Sequence, residues 1–448
     1  MSKLAARFLF FLGLSLWIPG IALINVADAW GLQVAMIFGL LLATLIIVVF
    51  LTAGGSFGKL VVKKQFLTYY GVYFAVILSC TVFSRIGIAK SAQTFFSETI
   101  GTIFAATVAW WLCRSPGYSA ELLRGFRIGG LVAASYGIYQ VVGWHLGLPL
   151  TYIPMNNASF SILPEWAARA EGRALGITPE PSALASMLLP LLGMMTVDVI
   201  VSGGIRRYGY WIMVFLAYLS TSSQSVAIIP LFLPLVFFFV KPMLPDRRLL
   251  RRSDILGFGV LILGAAVLLL TNDSILFWLS RLTGAPSGNL SATLRSAEIY
   301  AGLQKFQQSP LFGYGLGSAS TDLDLYAAQL GLPPGSLGSS SGFFRILSEE
   351  GLAGMMAIIV GVFSVFPRRM DVQATSEAAT RAGYQFTFVA GTALAIFFAG
   401  YRSMYHLWLI VPVGLSLRSQ WHESTRTIDP QLIPPMLDLD KIDGELIE

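Results

Sequence analysis

Long aliphatic stretches recur along this chain, separated by short polar breaks. Each is close to the roughly 20 residues that an α-helix needs to cross the hydrocarbon core of a bilayer. Twelve stretches are legible, at 8–25, 32–53, 66–84, 95–113, 126–145, 181–200, 207–221, 223–240, 255–272, 343–366, 383–400 and 403–417. Two of the breaks are very short: Thr221-Ser-Ser-Gln-Ser225 and Gly400-Tyr-Arg402. The pattern predicts an all-α, polytopic membrane protein with about 12 transmembrane helices in residues 1–417, followed by a solvated tail, 418–448. No fixed-period repeat argues for a solenoid.

Composition agrees with that reading. Hydrophobic residues make up 55% of the chain and charged residues 12%, against the roughly 25% charged content of soluble domains. The distribution of the charges then sets the topology. With the N-terminus inside, 21 of the 30 Lys and Arg residues fall on the inner side. They sit around Lys3 and Arg7, Lys59–Lys64, Arg114–Arg127, Arg206 and Arg207, Lys241–Arg252, Arg368–Arg381 and the tail. This bias predicts cytoplasmic termini and accounts for the net charge of +6 without a nucleic-acid partner. Lys3, Arg7, an apolar run and Ala27-Asp-Ala29 have the look of a cleavable signal. The run from Phe8 to Ile24, however, exceeds the usual core of about 7–15 residues and is read as a retained first span. Cys80 and Cys113 fall within spans, which excludes a disulfide framework, and His145, His406 and His422 lack metal-ligand spacing.

Two connections on the outer side are long, 146–180 and 273–342, and loops of such length usually carry function or structure of their own. Basic residues gather there against the topological bias: Arg169 and Arg173 in the first, and Arg281, Arg295, Lys305 and Arg345 in or beside the second. Arginine stays charged and presents a planar fork that matches phosphate oxygens. Some of these cations have salt-bridge partners to hand in Glu171, Glu298, Glu349 and Glu350; a set converging from separate loops makes an anion site. Gly313-Tyr-Gly-Leu-Gly317 has neither a preceding strand nor a following Gly-Lys-Ser/Thr, so a nucleotide loop is not expected. Its glycines permit a tight bend after Pro310 with backbone amides near the site. Asp322 and Asp324 are a weak carboxylate pair for a metal; Asp198 and Glu349 read equally as structural pairs or as catalytic acids. Tyr152, Phe160, Trp166 and Tyr314 are candidates to stack on sugars, although aromatic residues are common at membrane interfaces.

Arg295, then Ser309-Pro-Leu-Phe-Gly-Tyr-Gly-Leu-Gly-Ser318, then Leu347-Ser-Glu-Glu-Gly-Leu-Ala-Gly354 follow one another in an order that resembles the C-terminal signature of the O-antigen ligase and Wzy-type polysaccharide polymerase superfamily. Arg173-Ala-Leu-Gly-Ile-Thr-Pro-Glu180 resembles that family's arginine-glycine segment. The resemblance covers about 165–365 and implies a GT-C-like glycosyltransferase. Its substrate would be a polyprenyl-diphosphate-linked glycan at the periplasmic face, with membrane lipid around it, no metal and no cofactor. A chain-length regulator and other polysaccharide-assembly proteins are the partners such a role implies. Two positions depart from the family pattern. Ser340 stands where ligases carry a histidine, and Gln224 stands where an arginine is usual. Both departures favour a repeat-unit polymerase over a lipid A–core ligase.

On that resemblance Arg173 and Arg295 stabilise the diphosphate leaving group, and Glu298 or Glu349 orients or deprotonates the acceptor. Arg169, Glu180, Gln224, Gly313, Tyr314, Gly315, Ser340 and Arg345 line the substrate. A ligase of the same superfamily and a flippase or transporter for lipid-linked sugars are the alternatives. Neither duplicated halves nor mid-membrane charges, the usual marks of a transporter, stand out in the sequence.

Overall fold

The computed structural model describes residues 2–26, 30–52, 64–157, 164–166, 169, 172–221, 228–243, 290–321, 323, 327–328, 342–365, 376–396 and 405–423. They are mostly helical: α1 (Ser2–Ser15), α2 (Val34–Thr52), α3 (Lys64–Val82), α4 (Ile88–Leu112), α5 (Pro116–Leu146), α6 (Pro181–Ser202) and α7 (Ile205–Ser220). Then come α8 (Ile229–Val240), α9 (Leu290–Gln308), α10 (Gly342–Val365), α11 (Ser376–Ile396), α12 (Tyr405–Trp408) and α13 (Ile410–Glu423). Among the described residues, four helices are long and apolar enough to cross a membrane: Val34–Thr52, Ile88–Leu112, Pro181–Ser202 and Gly342–Phe363. The chain is an integral membrane protein.

Several boundaries differ from those the hydrophobic pattern predicts. The first span, expected over 8–25, ends at Ser15, and the chain turns into an antiparallel hairpin of β1 (Ala22–Val26) and β2 (Trp30–Gln33). Among the described residues, this hairpin is the departure from an all-α architecture. Asn156 holds it from the far loop, accepting from the Ala22 amide at 2.9 Å and donating to the Ala22 carbonyl at 2.9 Å. Asn157 donates to the Pro19 carbonyl at 2.6 Å. α5 starts at Pro116, well before the expected 126, because Ser115 caps it by accepting from the Gly117 amide and Pro116 pre-sets the first turn. α9 lies inside what the sequence marks as loop 273–342. The last predicted span divides into α12 and α13. The span expected at 255–272 lies outside the described residues.

Small residues let the helices approach closely, as is usual where lipid supplies no hydrophobic drive between them. A Cβ on Gly13 of α1 would stand 2.1 Å from the Leu122 carbonyl oxygen of α5, and one on Gly125 1.9 Å from that of Phe10. At the α6–α11 crossing a Cβ on Gly391 would stand 2.8 Å from Pro190 Cα. One end of the bundle is locked by polar side chains. Arg127 pairs with Asp198 at 2.7 Å and donates to the Tyr384 hydroxyl at 2.9 Å, and Tyr384 donates to Asp198. Asp198 is therefore a structural partner. Connections assigned to the opposite face meet as well: 22–33 with 156–157, 84–91 with 314–317, and 173–174 with 220–221.

Candidate functional site

The glycine turn 309–321 and the middle of α10 are built into each other. α10 is broken at Gly351, whose φ of 64° and ψ of −154° are not helical. A break of that kind strands carbonyls on one side and amides on the other, and buried backbone groups require partners. The turn supplies them. The Tyr314 amide donates to the Ser348 carbonyl at 2.7 Å and the Gly315 amide to that of Glu349 at 3.2 Å. In return the Leu352 and Ala353 amides donate to the carbonyls of Pro310 and Leu311 at 2.8 and 2.9 Å. Contact this close needs glycine on both sides. A Cβ on Gly313 (φ 70°) would stand 2.3 Å from the Glu349 carbonyl carbon, and one on Gly351 2.5 Å from the Gly313 amide nitrogen. The sequence leaves the turn's amides available to a ligand. The structure corrects this for Tyr314 and Gly315, whose amides are committed to α10.

The break also sets two acids inside the protein. Glu349 and Glu350 are both fully buried. One Glu349 carboxylate oxygen accepts from Arg345 Nε at 3.1 Å and from the Ala319 amide at 3.2 Å. Arg345 is one helical turn earlier and a quarter exposed. The expected anion-binding arginine and the expected acid thus form a pair, whose geometry suits Glu349 to orienting Arg345. Lys305, at the end of α9 and 1% exposed, donates to the Ser318 carbonyl at 2.5 Å and also to that of Thr321. The sequence groups Lys305 with the outer-side cations that pair with nearby acids or make an anion site; the structure makes it a tie that holds the turn. Ala301 and Ala297 are buried one and two turns before it, so this face of α9 packs inward.

The remaining candidates have these positions. Arg295 lies on α9 and Glu298, half-buried, lies three residues on. Arg173 donates from Nε to the Thr221 carbonyl at the end of α7, at 2.8 Å, and the neighbouring Ala174 amide donates to the Ser220 carbonyl at 2.9 Å. Buried Gln140 of α5 fixes the rest of that segment, accepting from the Gly176 amide at 2.7 Å. Glu180 is the N-cap of α6 and accepts from the Ser182 hydroxyl, which places it as a helix-end residue. Arg169 and Trp166 are exposed. Tyr152 has its phenol pKa pushed above the ordinary value, first by burial and then by the negative charge of Glu165. Glu171, Phe160, Gln224, Arg281, Asp322, Asp324 and Ser340 lie outside the described residues.

Two residues escape the sequence reading. Arg85, in the α3–α4 connection, donates its amide to the Tyr314 carbonyl at 3.0 Å, and its guanidinium carbon lies 6.0 Å from the centre of the Tyr314 ring. A Cβ on Gly315 would stand 2.1 Å from the hydroxyl of the adjacent Ser84. The signal for Arg85 was available, since it is one of the few cations on the outer side. Glu98 lies in the middle of α4, 2% exposed, and accepts from the Tyr73 hydroxyl at 3.3 Å. It is a charge-bearing group at mid-span that the apolar pattern of residues 95–113 conceals.

Residues 208–359 match the family model described as O-Antigen ligase. The match runs from α7 through the glycine turn to the second half of α10, so it contains the interlock, Arg345 and Glu349. Among curated proteins and among solved structures, none matches the chain.

Proposed function

We propose that this member of the O-antigen ligase and Wzy-type superfamily is a glycan polymerase of the bacterial inner membrane. It joins polyprenyl-diphosphate-linked repeat units into an exopolysaccharide or O-antigen-type chain at the periplasmic face, with both termini cytoplasmic. The observation that carries this reading is the Arg345–Glu349 pair, clamped by the glycine turn inside the matched segment. Ser340, standing where ligases of the family carry a histidine, favours polymerase over ligase.

In this reaction a hydroxyl oxygen of one lipid-linked unit attacks the anomeric carbon of the growing chain. The bond from that carbon to the diphosphate oxygen breaks, and the lipid diphosphate leaves with the electron pair. The leaving group is a good one, so charge stabilisation and orientation matter more than a strong base. Arg173, Arg295 and Arg345 meet the developing charge, each worth on the order of 10²–10³ in rate by analogy with an oxyanion-site donor. Glu349 keeps Arg345 oriented. Half-buried Glu298 takes the hydroxyl proton, a contribution of about 10²–10⁴. Tyr314 and Arg169 contact sugar or phosphate at the rim.

The name of the matched family favours a second reading, a ligase that transfers a finished glycan to another acceptor. Mass analysis of cells lacking the protein separates the two. Single lipid-linked repeat units accumulate if it is a polymerase, and long lipid-linked chains accumulate if it is a ligase. Arg295→Ala, present at wild-type abundance with undiminished polymer length, refutes the catalytic assignment.

A further inference from the structure

The polar lock at the other end of the bundle leaves one arginine over. Four arginines there hold a buried N–H that no group of the described residues accepts: Arg124, Arg127, Arg207 and Arg381. Arg124 and Arg381 have acids of their own, Glu121 at 3.7 Å and Glu377 at 2.9 Å. Asp198 serves the other two: it pairs with Arg127 at 2.7 Å, and the charge of Arg207 acts on it as well. The packing of α6 on α7 puts Arg207 there. Trp211 donates from Nε1 to the Thr196 hydroxyl of α6 at 2.9 Å, and Arg207, one turn earlier on α7, falls beside Asp198. α5 and α7 touch at Ser135 and Met213. From that contact Arg127 lies roughly 12 Å toward the start of α5, and Arg207 roughly 9 Å toward the start of α7, at about 1.5 Å per residue. Two guanidiniums at similar depth thus share one carboxylate, which leaves one positive charge in excess. Their orphaned donors are Arg127 Nε and Arg207 Nη1. Buried N–H groups without a partner are rare in proteins and mark where an ion or another polar group belongs.

We propose that Arg207 and Arg127 bind a phosphate group at this end of the bundle, carried by an anionic phospholipid or free in solution. The planar guanidinium fork matches phosphate oxygens, and basic pockets between helices at the cytoplasmic side of a membrane suit anionic headgroups. Ile205, Tyr208 and Ile212, exposed on the same helix, bring lipid within reach of that phosphate. Asp198 stays with Arg127 and Tyr384, so the excess charge falls to Arg207, the principal donor. Occupied, the site fixes the near ends of the two helices whose far ends hold residues 173–176, through Gln140 of α5 and the last carbonyls of α7.

The test is equilibrium binding to the purified full-length protein in a fixed detergent, read by native mass spectrometry, with short-chain phosphatidylglycerol and inorganic phosphate as probes. Saturable uptake of one phosphate group per chain is expected. Arg207→Ala should weaken it by about tenfold or more, the worth of a charge-assisted hydrogen bond. Arg207→Lys, which keeps the charge without the fork, should recover part of that loss. Arg206→Ala removes the same charge from the exposed neighbouring residue and should change affinity by less than about twofold, because exposed charges are screened. Inorganic phosphate that competes with phosphatidylglycerol and is lost in Arg207→Ala upholds the site and makes free phosphate an occupant. Phosphatidylglycerol bound without such competition upholds it as a lipid site. Unsaturable binding of both probes, or unchanged affinity in Arg207→Ala, overturns the proposal. Equal weakening by Arg206→Ala and Arg207→Ala overturns it too, because the cations then act only as diffuse positive charge. If Arg207→Ala does not fold, Arg207→Gln decides by the same comparison. Binding needs no turnover, so the outcome stands apart from the reaction at the outer site.

Discussion

Gly313→Ala tests the interlock between the turn and α10 most directly. The substitution does two things at once. It forces alanine into a left-handed backbone conformation, φ 70°, which costs about 1–2 kcal/mol. It also sets a methyl group 2.3 Å from the Glu349 carbonyl carbon and 2.4 Å from the Glu350 nitrogen. Those are backbone atoms, with no flexible end to swing aside. The turn has to lift, and the bonds from Tyr314 to Ser348 and from Gly315 to Glu349 go with it. Each is worth about 0.5–1.5 kcal/mol. The expected loss is thus about 2–5 kcal/mol. Gly147 supplies the control, because it is left-handed, with φ 69° and ψ 28°, and a methyl group added there would meet nothing within 4 Å. Gly147→Ala should therefore cost the backbone term alone, about 1–2 kcal/mol. The assay is thermal or denaturant unfolding in a fixed detergent, with hydrogen exchange at residues 314, 315, 352 and 353 to localise the damage. Equal destabilisation by the two variants, or undisturbed exchange at those four amides in Gly313→Ala, refutes the reasoning.

Other outcomes follow from the same contacts. Arg345→Ala leaves Glu349 fully buried with its charge partner removed, which should cost about 3–5 kcal/mol and shorten the polymer; Arg345→Lys, retaining charge without the fork, should recover stability more than polymer length. Lys305→Met should free residues 318–321 and cost about 1.5–3 kcal/mol, read as faster proteolysis in that segment. Arg127→Ala and Asp198→Asn should each reduce thermal stability, with a double-mutant cycle revealing coupling between them, while polymer length per folded molecule stays the same.

How much of this was legible in the sequence depended on which force shaped each element. Where burial of apolar side chains decides, in lipid for α2 or inside the bundle for α6, the hydrophobic pattern suffices. Where capping decides, the signal is present but weaker than charge. Ser115-Pro116 marks the start of α5, yet Glu121 and Arg124 made that stretch look like a loop. α9 had a legible spacing in Ala297, Ala301 and Lys305, obscured by a lysine buried on that face. The turn sequence 309–318 and the segment 347–354 were both recognisable as site elements. That they complete each other's hydrogen bonds was not, because Gly351 breaks a helix only when another segment takes up its freed amides and carbonyls. Glu98 was hidden for the converse reason: one acid barely changes the hydropathy of a long apolar stretch, and only the fold reveals Tyr73 beside it.

The clamp on the hairpin has a consequence for how the protein is made. Ala22 and the asparagine that holds it are 134 positions apart. At about 5–20 residues per second, the hairpin emerges on the order of ten seconds before Asn156 exists. The crossing of Gly13 with the α5 backbone near Leu122 must wait nearly as long. During that interval α1 sits in the bilayer without α5, against which it packs most extensively, within reach of insertion factors and of the membrane's quality-control proteases. The arrival of α5 and its following loop is thus the moment at which the beginning of the chain is committed, and a ribosome that stalls before residue 156 leaves behind a fragment whose hairpin lacks the asparagine clamp.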